Sequence, residues 1–247
     1  MSCINLIKIN ATSSTNDFLK ERHLKGCCQD GDLVWAKDQT AGRGQRGNSW
    51  ISNPINSLTF SVYKAYENLT TQDAFAISVA CSLAIIQALN SIRVPDLSIK
   101  WPNDILSANK KIGGILIENF FKKNRLSASI IGVGLNINHL FSNEIPHAGS
   151  LELATGIKRE PEQVLMKMIP FLEKKLNFLN PLDQDLNKSQ YHQFLWRKDR
   201  KSTFERDQVV FEAITRGVTN QGELILEDEQ GIQTTVASNQ VRLKYVL

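Results

Sequence analysis

The chain has 247 residues, 42% hydrophobic and 22% charged, the make-up of an ordinary globular protein with ample core, sized for one large domain or one large and one small. Its formal net charge of +4 suits an enzyme of anionic small molecules and falls short of a dedicated nucleic-acid binder. Cys3, Cys27, Cys28 and Cys81 lack CxxC spacing and the four histidines lack metal-ligand spacing, which argues against a zinc centre and for free thiols in a reducing cytoplasm.

At the N-terminus, Met1-Ser2-Cys3-Ile4-Asn5 carries no basic-then-apolar leader, and no run reads as the roughly twenty apolar residues of a membrane span, so a cytoplasmic protein is expected. Residues 4–10 alternate weakly, as a strand does. Ser13, Ser14, Thr15, Asn16 and Asp17 offer N-caps for a short helix over 18–24. Strands are predicted over 33–36 and 58–63. Residues 71–89 give the clearest helix, with Thr71 as cap, Asp73 in the first turn, and Phe75, Val79, Leu83 and Ile86 at helical spacing.

Three more strands follow, around 98–101, over 112–118, and over 127–138 with Gly132 and Gly134 inside it. Helices are predicted over 161–179 and 182–196, with Pro170 a kink or break. The predicted fold class is α+β, a mixed β-sheet backed by helices. Past residue 197 the character changes. Arg197-Lys198-Asp199-Arg200-Lys201 reads as a linker, and 209–214, 224–226 and 234–236 as short strands. Hairpin-type turns at Asn220-Gln221-Gly222 and Glu229-Gln230-Gly231 separate those strands. A small β-barrel over 198–247, after a larger domain over 1–197, accounts for the change.

The densest chemical signal follows the second strand: Gln39-Thr40-Ala41-Gly42-Arg43-Gly44-Gln45-Arg46-Gly47-Asn48-Ser49-Trp50. Glycines let backbone lie against a ligand, and arginine forks suit carboxylates and phosphates. Gly42, Gly44 and Gly47 also match a dinucleotide fingerprint, but Ser52-Asn53-Pro54 and a strand follow where that motif needs a helix. Other polar clusters sit at strand ends or in loops: Ser14-Thr15-Asn16, Lys100-Trp101-Pro102-Asn103-Asp104, Lys110-Lys111-Ile112-Gly113-Gly114, and Gly132-Val133-Gly134-Leu135-Asn136. Period-two alternation does not choose between Lys110 and Lys111, because both faces of that strand carry apolar residues.

In this order these motifs resemble the bacterial biotin–protein ligases, over nearly the whole chain. The resemblance implies a class II synthetase-like catalytic domain followed by an SH3-like β-barrel. It also implies ATP-dependent activation of biotin to biotinyl-adenylate, then transfer to a lysine of a biotin carboxyl carrier protein or domain, of acetyl-CoA carboxylase or a related carboxylase. ATP and Mg²⁺ would be required, with the Mg²⁺ ligands unassigned.

By the same resemblance, Gln39 with Ser14, Thr15 and Asn16 binds the ureido ring of biotin, an amide suiting a urea-like group because it both donates and accepts. Ser14–Asn16 also reads as a plain helix cap. Gly42 and Gly44 let loop amides approach the ligand, and Gly113 joins the biotin site. Arg43 shields the meeting carboxylate and phosphate, and Lys111 bridges them as the catalytic lysine. Asn103, Asn136 and Trp50 contact ATP. Asp104 either orients the attacking amine or helps hold Mg²⁺, while Lys100 is site or framework.

Two departures stand out. Gln45 replaces a second family arginine, with Arg46 a candidate to compensate. The first strand begins within a few residues, so no winged helix-turn-helix is expected, and hence no DNA partner. A homodimer through strand edges fits the family. The nearest rival activity is lipoate–protein ligation. A rival of another class is nucleic-acid binding through residues 197–201, a run without the interleaved aromatics that such binding uses.

Overall fold

A computed structural model describes residues 3–141, 147–177, 179 and 181–245. Met1, Ser2 and, in the predicted helix 161–179, Phe178 lie outside the described residues. Strand β1 (Asn5–Thr12) passes through helix α1 (Thr15–Leu24) to β2 (Asp32–Gln39), which it joins in parallel. Ser14 starts α1 by accepting from the amide of Asp17, itself an acid in the first turn. Next come β3 (Ser57–Thr70), α2 (Ala74–Ser91), β4 (Leu97–Lys100), β5 (Asp104–Ser107), β6 (Lys110–Lys122) and β7 (Arg125–Asn136). These complete a seven-stranded sheet in the order β1-β2-β3-β7-β6-β5-β4, antiparallel apart from its first pair.

Helices α3 (Leu151–Thr155), α4 (Pro161–Asn177) and α5 (Pro181–Phe194) follow, and α4 runs through Pro170 without a break. α2 packs against α4 and α5 on one side and the sheet on the other. A capping box between Thr70 and Asp73 opens a short 3₁₀ turn that leads into it. Contrary to the reading of the sequence, Thr71–Ser91 is long and apolar enough to cross a membrane. The reason lies in packing. Ile77, Ala80, Leu83, Ala84, Ile85 and Leu89 are all buried, so this helix is apolar nearly all round because protein covers it nearly all round. Leu83→Ala is therefore expected to lower the unfolding free energy by about 2–5 kcal/mol, read as an earlier urea midpoint.

A second, antiparallel sheet combines β8 (Lys201–Arg206), β9 (Val209–Val218), β10 (Leu224–Glu227), β11 (Gln233–Val236) and β12 (Arg242–Leu243), in the order β11-β10-β9-β8-β12. It is an open ladder, β11 and β12 being its edges. Gly222 and Gly231 take positive φ at the two expected hairpin turns. Residues 197–201 are no loose linker: the Trp196 amide donates to the Ile99 carbonyl, Arg197 Nε donates to Ser202 Oγ at 2.8 Å, and Lys201 opens β8. The run is solvated, with Arg200 and Lys201 exposed, yet it is tied down by these bonds.

Candidate active site

A cavity of about 750 Å³ opens over the middle of the large sheet. Its floor is bare backbone. Gly114 of β6 pairs with Gly134 of β7, and Gly132 lies two residues along on the same face. Larger residues are sterically excluded at two of these positions. A Cβ on Gly132 would fall 2.3 Å from Asn16 Oδ1, and one on Gly134 would fall 2.4 Å from the Trp50 indole.

One end of the cavity is lined by neutral polar side chains. Gln39 Oε1 accepts from the Thr15 amide at 2.9 Å and lies 3.2 Å from the Thr15 hydroxyl. Asn16 Oδ1 accepts from Ser61 Oγ at 2.6 Å, while Asn16 Nδ2 donates to Glu118 at 2.9 Å and to the Leu116 carbonyl. Ser14, Thr15 and Asn16 are buried. Ser14 thus caps α1 and lines the cavity at once. Ser61 and Glu118 belong to this network although the sequence reading missed them. Period-two alternation from Gly114 through Leu116 reaches Glu118, a signal that was available.

Above this end, the loop after β2 folds back as a narrow hairpin. Gly44 and Trp50 donate their amides to the carbonyls of Asn48 and Gly42, and a short 3₁₀ turn at Gln45–Gly47 holds Arg46 (φ 57°) and Gly47 (φ 76°) in the left-handed region. Arg43, Gly44, Gln45, Arg46 and Trp50 all line the cavity. The Arg43 guanidinium spans two carboxylates, Asp17 at 2.5 Å and Glu118 at 3.1 Å. Burial alone would raise the Glu118 carboxyl, but the Asn16 amide and the charges of Arg43 and Lys20 outweigh it and hold the group below its usual range.

The other end is cationic. β6 carries a bulge at Ile112: Ile105 pairs with Gly113, whereas Leu106 pairs with Lys111. The extra residue moves Lys111 onto the face of Gly114, so Lys111 lines the cavity while Lys110 is exposed and packs by Gly149. Lys111 Nζ lies 2.6 Å from Asp104 and 6.0 Å over the Trp50 ring. Asp104 is also the cross-strand partner of Lys100, because Trp101-Pro102-Asn103 forms the tip of a β4–β5 hairpin with a cis Trp101–Pro102 bond. The sequence places a strand around 98–101, which β4 bears out, but gives no sign of β5.

Asn103 and Asn136 border this end, but their amide nitrogens hold backbone, Asn103 bonding the Ile115 carbonyl at 2.7 Å and Asn136 the Gly149 carbonyl at 2.9 Å. Gly42 and Gly113 do not line the cavity. A Cβ on Gly42 would meet the Trp50 carbonyl at 2.3 Å, and one on Gly113 would meet Leu135 Cδ2 at 2.3 Å, so both allow close packing of neighbouring segments. Among the described residues no cluster of three or more His, Cys, Asp or Glu side chains can hold a metal, and Asp104 is the cavity's carboxylate. The C-terminal segment reaches the same cavity, with Arg242 and Tyr245 in its wall.

Such a cavity, hydrogen-bonding at one end and cationic at the other, suits a small molecule that carries an anion beside a neutral polar group. Residues 9–136 match the biotin/lipoate A/B protein ligase family. The chain belongs to that family. It is similar in fold to a biotin protein ligase from Aquifex aeolicus in complex with biotin and ATP, with a TM-score of 0.79 and 26% identity, covering 97% of this chain and 98% of that one. It is 33% identical to the bifunctional ligase/repressor BirA of Bacillus spizizenii over 150 residues, 59% of this chain and 46% of that protein. It is 34% identical to the biotin–[acetyl-CoA-carboxylase] ligase of Mycobacterium tuberculosis over 143 residues, 57% of this chain and 52% of that protein. The chain thus spans about half the length of these curated relatives.

Proposed function

We propose that this protein is an ATP-dependent ligase that activates biotin to biotinyl-5′-AMP and transfers it to a lysine of a biotin carboxyl carrier protein or domain, of acetyl-CoA carboxylase or a related carboxylase. The observation that carries the reading is one cavity joining the Thr15–Asn16–Gln39–Ser61 network to Lys111 and Asp104 beneath a single glycine–arginine loop. The Aquifex neighbour with biotin and ATP, and the Mycobacterium relative named for acetyl-CoA carboxylase, support it.

In the first half-reaction a biotin carboxylate oxygen bonds to the α-phosphorus as the bond to pyrophosphate breaks. Two anions must meet, and cations already in position lower that barrier. Lys111 sits between them, and Arg43 exchanges Asp17 and Glu118 for the ligand as the loop closes. Trp50 covers the nucleotide, with Arg46, Asn103 and Asn136 beside it. In the second half-reaction the neutral amine of the carrier lysine attacks the acyl carbon, AMP leaves with the bonding pair, and a proton is shed.

Asp104, beside Lys111, either accepts that proton or ligates Mg²⁺. As a single carboxylate it fits an ion that uses one or two carboxylates plus substrate phosphates. Bound Mg²⁺ would supply neutralisation of phosphate charge. We also infer that the second sheet, though its ladder is open between β11 and β12, is the SH3-like module that the resemblance implies, with 1–197 as the catalytic unit and 198–247 as its C-terminal partner.

Incubation with biotin, MgATP and an apo-carrier domain should add one biotinyl mass to the carrier. Lipoyl transfer in its place would overturn the reading. Arg43→Ala should weaken biotin and adenylate retention roughly ten- to a hundredfold, the range of a charged hydrogen bond at about 1.5–3 kcal/mol. Its thermal midpoint should barely move, because half-exposed ion pairs such as those to Asp17 and Glu118 contribute only about 0–1 kcal/mol. Calorimetric titration with biotin checks the first expectation, and unchanged affinity would remove Arg43 from the role.

A further inference from the structure

Lys100 differs from the cavity's other lysine. Lys111 has the Asp104 carboxylate at 2.6 Å, whereas Lys100, only 8% exposed, forms no ion pair among the described residues and directs Nζ at the face of Tyr245, 4.3 Å from the ring centroid. Tyr245 follows β12, so the second sheet delivers it to a lysine of the first. The ring is held in place by neighbours. It stacks on His147 at 4.4 Å and 12°, and packs on Trp196 at 5.4 Å. Its hydroxyl is buried with no hydrogen-bond partner among the described residues, and burial pushes its ionisation well above the ordinary phenol range, so the ring stays neutral.

An aromatic face supports a cation without cancelling it. A carboxylate at the same spot would neutralise Lys100 and repel an arriving phosphate. Burial lowers the pKa of Lys100, the Asp104 charge opposes that shift, and Lys111 and Arg242 add to it. A cation kept this dry needs the ring contact more than an exposed one does. The resulting arrangement keeps one lysine in direct contact with the Asp104 carboxylate and one that feels that charge only from beyond ion-pair distance, both facing the same cavity.

We propose that Lys100 is a second cation for the nucleotide's polyphosphate and that Tyr245 is its positioning residue, by which the C-terminal sheet controls nucleotide affinity. This rests on the adenylating activity proposed above. The ring face, not the hydroxyl, does the positioning. Tyr245→Leu keeps apolar bulk but removes the face, and should raise KM for ATP roughly tenfold in biotin-dependent pyrophosphate exchange, with kcat much less affected. Tyr245→Phe should recover most of that loss, and biotin affinity by calorimetry should stay the same in both variants.

A Lys100→Met variant should copy the Leu phenotype, and combining the two should add little further. Unchanged KM for ATP in Tyr245→Leu would overturn the inference. So would failure of Tyr245→Phe to recover the loss, or an equal fall in biotin affinity. Should Tyr245→Leu not fold, Tyr245→Phe and Lys100→Met carry the test: a near-parental KM for ATP is expected in the first and a roughly tenfold rise in the second, and an unchanged KM in Lys100→Met would overturn the inference. Absence of any biotin-dependent exchange in the wild type would overturn the functional reading instead, while ATP titration without biotin would still register the effect of Tyr245.

Discussion

Lys111→Ala should slow adenylate formation by roughly 10²–10³-fold, the loss typical of one preorganised donor removed from a charged transition state. The bulge at Ile112 aims this side chain over Gly114. Truncation also strips Asp104 of its partner at 2.6 Å, leaving a bare carboxylate where a polyphosphate should arrive, which pushes the loss toward the upper end. The fold should hold. The Lys111 side chain is 36% exposed, so its removal opens no sealed void, and stability should stay within about 0.5–1 kcal/mol of the parent. Pyrophosphate exchange and urea denaturation measure the two effects. Lys110→Ala serves as the comparison, because Lys110 points away from the cavity, and equal losses in the two variants would refute the assignment.

That comparison also marks where sequence reading stops. The regular segments were legible because apolar periodicity reports burial: β2, α2, β7 and α4 appear close to where the pattern put them, while β3 runs on to Thr70, well beyond its buried, apolar part. The choice between Lys110 and Lys111 is not legible in periodicity, since a bulge interrupts the alternation on which it depends, and rests on the family resemblance, which favours Lys111. Trp101 reads as the end of a strand and is the first residue of a hairpin tip, its indole N–H tied to the Gly222 carbonyl beside the second sheet. That tie spans more than a hundred residues, as does the contact of Lys100 with Tyr245, and no local pattern encodes either. Glycines misled in one direction. Gly42 and Gly113 were read as room for a ligand and give room to neighbouring protein, while Gly114, Gly132 and Gly134, left without a role, form the floor.

The floor supplies the second large effect. Gly132→Ala should weaken biotin binding roughly ten- to a hundredfold, because the new methyl would lie 2.3 Å from Asn16 Oδ1 and 3.0 Å from its Cγ. Asn16 cannot simply step aside. Ser61, Glu118 and the Leu116 carbonyl all hold its amide, and leaving gives up several buried hydrogen bonds at about 0.5–1.5 kcal/mol each. Overpacking should itself lower stability by about 1–3 kcal/mol, so affinity must be measured below the shifted unfolding midpoint. Gly134→Ala makes the complementary test, since its methyl would strike the Trp50 indole rather than Asn16. That substitution should raise KM for ATP more than it weakens biotin. If both alanines impaired biotin and ATP alike, the two ends of the cavity would not be separate subsites, and the division of labour along the glycine floor would fail.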